Sequence, residues 1–303
     1  MQDNFVREVH PRLRFFVTGA TGHIGRHFLR QLEGHEVLCL SRSPLTGLPT
    51  GKTQWVSGSL LDRSVLAAKL EQFAPDVVVH LAWQGLPDYS KETCDQNVKL
   101  SLNLLSELLR SSVKRIVVAG SGFEYESKQG ELLESMKVDS ISDYANAKLE
   151  ILDEFNRSCE SADIDLVWSR IFCSYGPGKP ASSLLPFVYR ALMNREIPIL
   201  KSPSSTQDFI FVDDVASALF KLATVKSVKG VVNIGSGSLT SVAKIVNLIA
   251  ESCDSDYRIV DYEWLGGPWA SIEKIKRLTG WEPRFTVEQG VKASINDLKG
   301  VAP

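Results

Sequence analysis

The sequence lacks any apolar run long enough to cross a membrane. Its longest, such as Val77-Val78-Val79 and Ile116-Val117-Val118-Ala119, are of strand length, against the roughly 20 residues that a spanning helix needs. An excess of charge of one sign is missing too. The 34 basic and 36 acidic residues are spread along the chain for a formal net charge of −2, so no basic face is expected to meet a nucleic acid. Cysteine is sparse and unpatterned: Cys39, Cys94, Cys159, Cys173 and Cys253 form no C-x-x-C pair and have no matching histidine cluster. No metal site is expected from such a set, and it suits a reducing, cytoplasmic setting. Residues 1–14 mix Asp3 and Glu8 with Arg7, Arg12 and Arg14 and lack the apolar segment of a secretory signal, so export is not expected. Internal repeats, heptads and low-complexity tracts are absent.

What is present is ordinary for a folded protein, with 44% hydrophobic and 23% charged residues. A chain of 303 residues suffices for one large α/β unit and a smaller one beside it. Short β-branched runs at 13–18, 36–40, 54–57, 77–81, 115–120 and 165–169 alternate with amphipathic stretches at 24–33, 64–73, 94–110 and 142–158. That alternation predicts βαβ units feeding one parallel, doubly wound sheet. After the turn-rich Tyr175-Gly176-Pro177-Gly178-Lys179-Pro180 the pattern loosens into shorter pieces. Helices are predicted to open at Asp213-Asp214 and to occupy 241–253 and 270–280, and 230–235 reads as a strand returning to the first sheet.

Thr18-Gly19-Ala20-Thr21-Gly22-His23-Ile24-Gly25 follows the first predicted strand and opens the first predicted helix. There Gly19 allows a tight turn, Gly22 lets the backbone approach a pyrophosphate, and Gly25 lets helix pack on strand, with the helix N-terminus facing the anion. Thr21, His23 and Ile24 fall in the same turn, His23 as a side chain beside phosphate rather than a catalyst. A Rossmann dinucleotide unit is therefore expected over 1–169, with 208–235 returning to it, and a smaller α/β substrate-binding unit interleaved over 170–303. An NAD site usually has an acid at the end of the second strand to hold the ribose hydroxyls. Here no carboxylate occurs from Val37 through Leu61, and the strand runs into Ser41-Arg42-Ser43. A guanidinium and two hydroxyls suit a 2′-phosphate, which an acid would repel, so NADP(H) is expected ahead of NAD(H).

Tyr144 and Lys148 stand four apart in a predicted helix, which puts phenol and ammonium on one face. A nearby positive charge is expected to lower the phenol pKa toward the range of a working acid or base. Ser121 falls just past a strand, at the carboxyl end of the sheet where ligands of such folds bind, and its hydroxyl could hold a carbonyl oxygen. His80 ends a buried strand and reads as a core histidine. The aromatic loop Trp264-Leu265-Gly266-Gly267-Pro268-Trp269 could cover a base or equally pack the smaller unit.

Glycine loop, Ser121 and Tyr144-x-x-x-Lys148 together resemble the extended short-chain dehydrogenase/reductase family over nearly the whole chain. His80-Leu81-Ala82-Trp83, Phe123-Glu124-Tyr125, Arg170-Ile171-Phe172, Tyr175-Gly176-Pro177-Gly178 and residues 208–214 look like landmarks of its nucleotide-sugar branch. The resemblance implies that Leu60 walls the adenine, that Leu81, Ala82 and Trp83 line the cofactor, that Asn97 supports the site, and that Ile171 borders the nicotinamide. It also implies a nucleotide-sugar substrate and a homodimer paired through the helices at 94–110 and 142–158, each expected to expose an apolar stripe. Three departures stand out. Ser121-Gly122-Phe123 replaces the Thr-Asp-Glu of 4,6-dehydratases, so the acid pair for water elimination is absent. Ser59 stands where an Asp commonly contacts adenine. Cys173 and Gln207 replace a usual Asn and Arg that, like the position of Phe123, face the substrate.

Those features put NADPH-dependent reduction of a 4-keto (6-deoxy) nucleotide sugar first, with Tyr144 as proton donor, Lys148 on the nicotinamide ribose and Ser121 on the carbonyl. The same residues serve a C4 epimerase. A non-catalytic NADP-binding regulator is the third alternative, disfavoured because Ser121, Tyr144 and Lys148 are all kept.

Overall fold

A computed structural model describes residues 12–43, 52–138, 141–260 and 266–300. In its first half, β1 (Arg14–Thr18), α1 (His23–Gln31), β2 (Glu36–Ser41), β3 (Thr53–Ser57), α2 (Arg63–Phe73), β4 (Val77–His80), α3 (Lys91–Leu108) and β5 (Arg115–Ser121) follow one another. A 3₁₀ turn over Gly122–Tyr125 then leads to β6 (Gly130–Leu132), α4 (Asp143–Ser161), β7 (Asp165–Ile171), β8 (Cys173–Tyr175), α5 (Leu184–Met193), β9 (Thr206–Gln207) and β10 (Phe209–Phe211). The chain ends with α6 (Val212–Thr224), β11 (Gly230–Ile234), β12 (Thr240–Ser241), α7 (Val242–Ser252), β13 (Pro268–Ala270), α8 (Glu273–Thr279) and α9 (Val287–Leu298).

Seven strands form one parallel sheet in the order β3-β2-β1-β4-β5-β7-β11, the doubly wound arrangement expected. Each strand foreseen to residue 169 lies within two residues of its predicted bounds, and 230–234 joins the sheet beside β7. The period of two decides which helices cover which face. Phe15, Val17, Val77, Val79, Val117 and Val167 meet Phe28 and Leu29 of α1 and Val215, Leu219 and Leu222 of α6. Their neighbours Phe16, Val78, Ile116, Val118, Leu166 and Trp168 meet Leu66 and Leu70 of α2, Leu104 of α3, and Ile151 and Phe155 of α4. Each such fully buried side chain stabilises the fold by about 1.5–3 kcal/mol. A third cluster joins α5, α7, α9, β8 and β10 around Val188, Phe209, Ile245, Ile249 and Val291.

Helix starts follow the capping residues. Ser90 accepts from Thr93 N to open α3, and Ser142 accepts from Ala145 N, so α4 begins at Asp143 and Tyr144 falls in its first turn. The apolar stripe expected on the outside of these two helices is instead turned inward. Their exposed positions include Lys91, Asp95, Gln96, Lys99, Asn146, Glu150 and Asp153, whereas Val98, Leu104, Ile151 and Phe155 pack on the sheet. Helices α5 and α9 and the short strand pairs were not foreseen; the pairs are two or three residues long, too short to show a period. Among the described residues no helix is long and apolar enough to cross a membrane, and no group of His, Cys, Asp and Glu could hold a metal.

Arg115 ties the two halves of the chain. Its guanidinium donates to the carbonyls of Leu222 (2.6 Å), Val225 (2.8 Å) and Val228 (2.9 Å), which close the end of α6. Replacing Arg115 by Met leaves three carbonyls without their donor, and urea unfolding is expected to show a loss of about 3 kcal/mol.

Candidate active site

The glycine loop follows β1, at the carboxyl end of the sheet. Gly19 has φ +74°, and a Cβ on it would stand 2.5 Å from Ala82 N, so only glycine lets this turn touch the segment after β4. Gly25 meets the same limit from the helix side, where a Cβ would lie 2.7 Å from Ala20 Cα. Gly22 N–H donates to Gly19 O at 3.0 Å, and Gly22 caps α1 without a side chain, so first-turn amides of the helix have no side-chain partner there.

In front of this loop lies a cavity of about 270 Å³, walled by Thr21 and Gly22, by Ser41 and Arg42 after β2, by Ser59 and Leu60 after β3, and by Leu81 to Gln84 after β4. Two observations fit it to a dinucleotide: the α1 N-terminus, which no side chain caps, and Trp83 Nε1, buried and without a hydrogen-bond partner. At its rim Arg42 donates to Gln84 Oε1 (3.2 Å), while Ser41 Oγ donates to Ser43 O (3.0 Å) and accepts from Ser43 N (3.2 Å). Ser59 Oγ accepts from Leu61 N at 3.2 Å.

Other predicted residues reach the cavity indirectly or face elsewhere. Asn97 is buried and brackets Gln84, accepting from its N–H (2.7 Å) and donating to its carbonyl (2.9 Å); it shapes the loop after β4 and is not a wall of the cavity. His23 turns toward the segment after β8, with Nδ1 3.0 Å from Pro177 O and Nε2 3.3 Å from Ser174 Oγ. Burial and the nearby Lys179 depress its pKa to about 3. Ile24 and Ile171 belong to the core, Ile171 lying opposite Ser121 in register. His80 is held between Thr18 Oγ1 (2.6 Å) and Ser101 Oγ (3.1 Å), and burial lowers its pKa to about 3. It is a core histidine. Trp264 lies outside the described residues.

Ser121, Tyr144 and Lys148 come together beside the cavity. Ser121 ends β5 and accepts from Phe123 N at 3.2 Å. Lys148 is buried, donates to Ala119 O (2.8 Å) and sits 4.1 Å from the centre of the Trp83 ring. The Tyr144 ring is boxed edge-on by Trp83, Tyr89 and Phe123, with centroids 4.9, 5.1 and 6.2 Å away. Tyr89 carries no motif signal in the sequence; only the fold brings it to the phenol. Phe123 is 62% exposed and Tyr89 48%, so both form an open aromatic rim. Cys173 is exposed in β8, paired with Phe209 of β10, and its N–H donates to Asp208 O at 3.0 Å, while Gln207 in β9 is half-buried.

The electrostatics depart from expectation. Burial pushes the Tyr144 phenol well above its ordinary pKa, and a hydrogen bond with Ser121 opposes that rise. Lys148 Nζ is 5.9 Å from the Tyr144 ring centre, and burial lowers its own pKa to about 8, with Glu124 opposing. Desolvation outweighs the ammonium's pull on the phenol because both groups are inside the protein. Beneath them Glu124 is fully buried and accepts from Ser121 N (2.7 Å), Trp168 Nε1 (2.9 Å) and Arg170 Nε (2.6 Å).

The profile of the NAD dependent epimerase/dehydratase family matches residues 15–235. A UDP-glucuronate 4-epimerase of Thermodesulfobacterium geofontis is 29% identical over 243 residues, 75% of this chain and 73% of that protein. A dTDP-6-deoxy-L-talose 4-dehydrogenase (NAD(P)(+)) of Kitasatospora kifunensis is 27% identical over 300 residues, 92% of this chain and 93% of that protein. Among solved structures, MoeE5 in complex with UDP-glucuronic acid and NAD superposes with a TM-score of 0.80 at 25% identity, covering 95% of this chain and 99% of that one. The epimerase Mth375 of Methanothermobacter thermautotrophicus shares the fold, with a TM-score of 0.83 at 22% identity over 96% and 93% of the two chains.

Gly19→Ala is expected to push the loop off Ala82 and weaken dinucleotide binding by about tenfold or more, measured as nicotinamide fluorescence on titration with NADH and NADPH.

Proposed function

The chain belongs to the NAD dependent epimerase/dehydratase family, and from that premise we propose that it inverts C4 of the hexose unit of a nucleotide sugar, with NAD(H) kept through turnover. The observation that carries this reading is the meeting of Ser121, Tyr144 and Lys148 at the end of the dinucleotide cavity, under an open aromatic rim. The likeness to the UDP-glucuronate 4-epimerase and to MoeE5 supports a UDP-sugar as substrate. It moves epimerisation ahead of the reduction that the sequence favoured.

A bound nicotinamide supplies uptake of a hydride from C4 and its return. Tyr144 removes the proton of the C4 hydroxyl as that hydride leaves and gives it back when the ketone is reduced. Ser121 donates a hydrogen bond from its hydroxyl to the sugar oxygen, and Lys148 holds the ribose and adds positive charge beside the phenol. Ser41 and Arg42 bear on the cofactor: Arg42 is engaged with Gln84 and the Ser41 hydroxyl with the Ser43 backbone, so neither needs a 2′-phosphate to hold it. Exposed Arg42 and the missing acid after β2 still favour a second reading, reduction of a 4-keto nucleotide sugar by NADPH, and the 4-dehydrogenase relative supports it.

Incubation with UDP-glucuronic acid, UDP-glucose and UDP-N-acetylglucosamine, with C4 epimers separated by chromatography, tests the proposal. The expected result is an epimer formed without net change in nicotinamide absorbance. Stoichiometric NADPH oxidation on 4-keto sugars would establish the second reading instead, and inactivity with unchanged in vivo function of Tyr144→Phe would leave a regulator. In an active enzyme Tyr144→Phe should lower kcat by about 10²–10⁴-fold with nucleotide-sugar affinity kept. The rate should fall as pH rises through about 8, where Lys148 loses its charge.

A further inference from the structure

We propose that Glu124 is a positioning residue of this site, fixing Ser121 against Tyr144 through the Ser121 N–H and placing a counter-charge beneath Lys148; its catalytic meaning rests on the function proposed above. Glu124 is 0% exposed, and four hydrogen bonds from three groups pin its carboxylate: Ser121 N (2.7 Å), Trp168 Nε1 (2.9 and 3.1 Å) and Arg170 Nε (2.6 Å). It closes a reciprocal capping box, since the Ser121 hydroxyl accepts from the turn's backbone at Phe123 N while Glu124 accepts from the Ser121 backbone. The space is made for this contact. A Cβ on Gly120 would stand 2.6 Å from Glu124 Oε1, so only glycine lets the strand pass over the carboxylate.

Arg170 is fixed in turn by the Tyr125 ring, 4.5 Å from its guanidinium carbon, and Tyr125 donates to Asn233 Oδ1 at 2.8 Å. A scaffold alone would be served as well by an apolar contact, because a buried ion pair adds little net stability over well-packed hydrophobic side chains. What the pair adds is a fixed negative end directed at Ser121, with the positive end held away from it.

Lys148 reports that field. His80 of β4, Trp83, Cys94 of α3, the Ala119 carbonyl of β5, Glu124, and Tyr144 on its own helix are the groups around it. Glu124 is the charge that favours the ammonium against burial, since burial keeps the Cys94 thiol above its ordinary pKa and so neutral there. A negative charge stabilises a neighbouring protonated form, so removing it must lower the Lys148 midpoint.

The test is a pH titration of ¹³Cε-labelled lysine by NMR, with the Lys148 signal assigned by its loss in Lys148→Met. Glu124→Gln keeps an acceptor for Ser121 N and should move the midpoint down by about half a pH unit or more. Trp168→Phe removes the Nε1 donor with its two bonds to the carboxylate, and no charge, and should leave it in place. Glu124→Gln combined with Arg170→Gln gives a second, charge-balanced variant in which the fall should be smaller, because removing the guanidinium favours the ammonium. An unmoved or raised midpoint overturns the proposal, as does failure of both Glu124 variants to fold, which would make the carboxylate purely structural. The titration needs no substrate, so a wild-type protein inert toward every nucleotide sugar would sink the proposed function and leave the field of Glu124 intact.

Discussion

At the carboxyl end of the sheet, β1 and β4 lie side by side but send their chains to opposite faces, β1 into α1 against α6 and β4 into α3 against α4. Between two such departing chains a crevice must open, and the glycine loop and Trp83 stand along it. Its floor is set by one contact, that of Gly19 with the Leu81–Ala82 peptide. A side chain on Gly19 would separate the two loops and with them the helix amides, Trp83 and Lys148.

The site is built from charges that burial disfavours. Dehydration lifts the Tyr144 phenol and depresses the Lys148 ammonium, so each is driven toward its neutral form. Neither group is paired with a carboxylate of its own; Lys148 is held by the Ala119 carbonyl and the Trp83 face, contacts that orient an ammonium without neutralising it. That leaves both groups able to respond to a charge arriving in the crevice, which a tight ion pair would not allow. The ion pair in the neighbourhood, Glu124 with Arg170, is one layer further down.

Much of this was legible in the residues because it is local. The glycine spacing, the alternation of strands and helices and the Tyr144–Lys148 interval are short-range patterns, and the sheet order follows from them. Longer-range features left weaker traces. Tyr89 reaches Tyr144 from another element, Glu124 reaches Ser121 through a turn that no periodicity marks, and Ile171 and Ile24 were turned into the core by their place in β7 and α1. The pKa of Tyr144 was misjudged for the same reason: the sequence shows which charges are near in the chain and not how much water the fold removes.

Packing also bears on which reactions of the family the site can host. Elimination of water needs an acid and a base in the segment after Ser121, and this chain has Gly122 and Phe123 there. Gly122 is confined: a Cβ on it would approach the Phe172 ring to 3.1 Å, tighter than side chains ordinarily tolerate, so a carboxylate could enter only if that ring moved. Phe172 in turn leans on Tyr125, with centroids 6.2 Å apart, and Tyr125 is held by Asn233 and the Arg170 face. The network that seats Glu124 beneath Ser121 therefore also backs the Phe172 ring, which a side chain at position 122 would have to displace by a few tenths of an ångström.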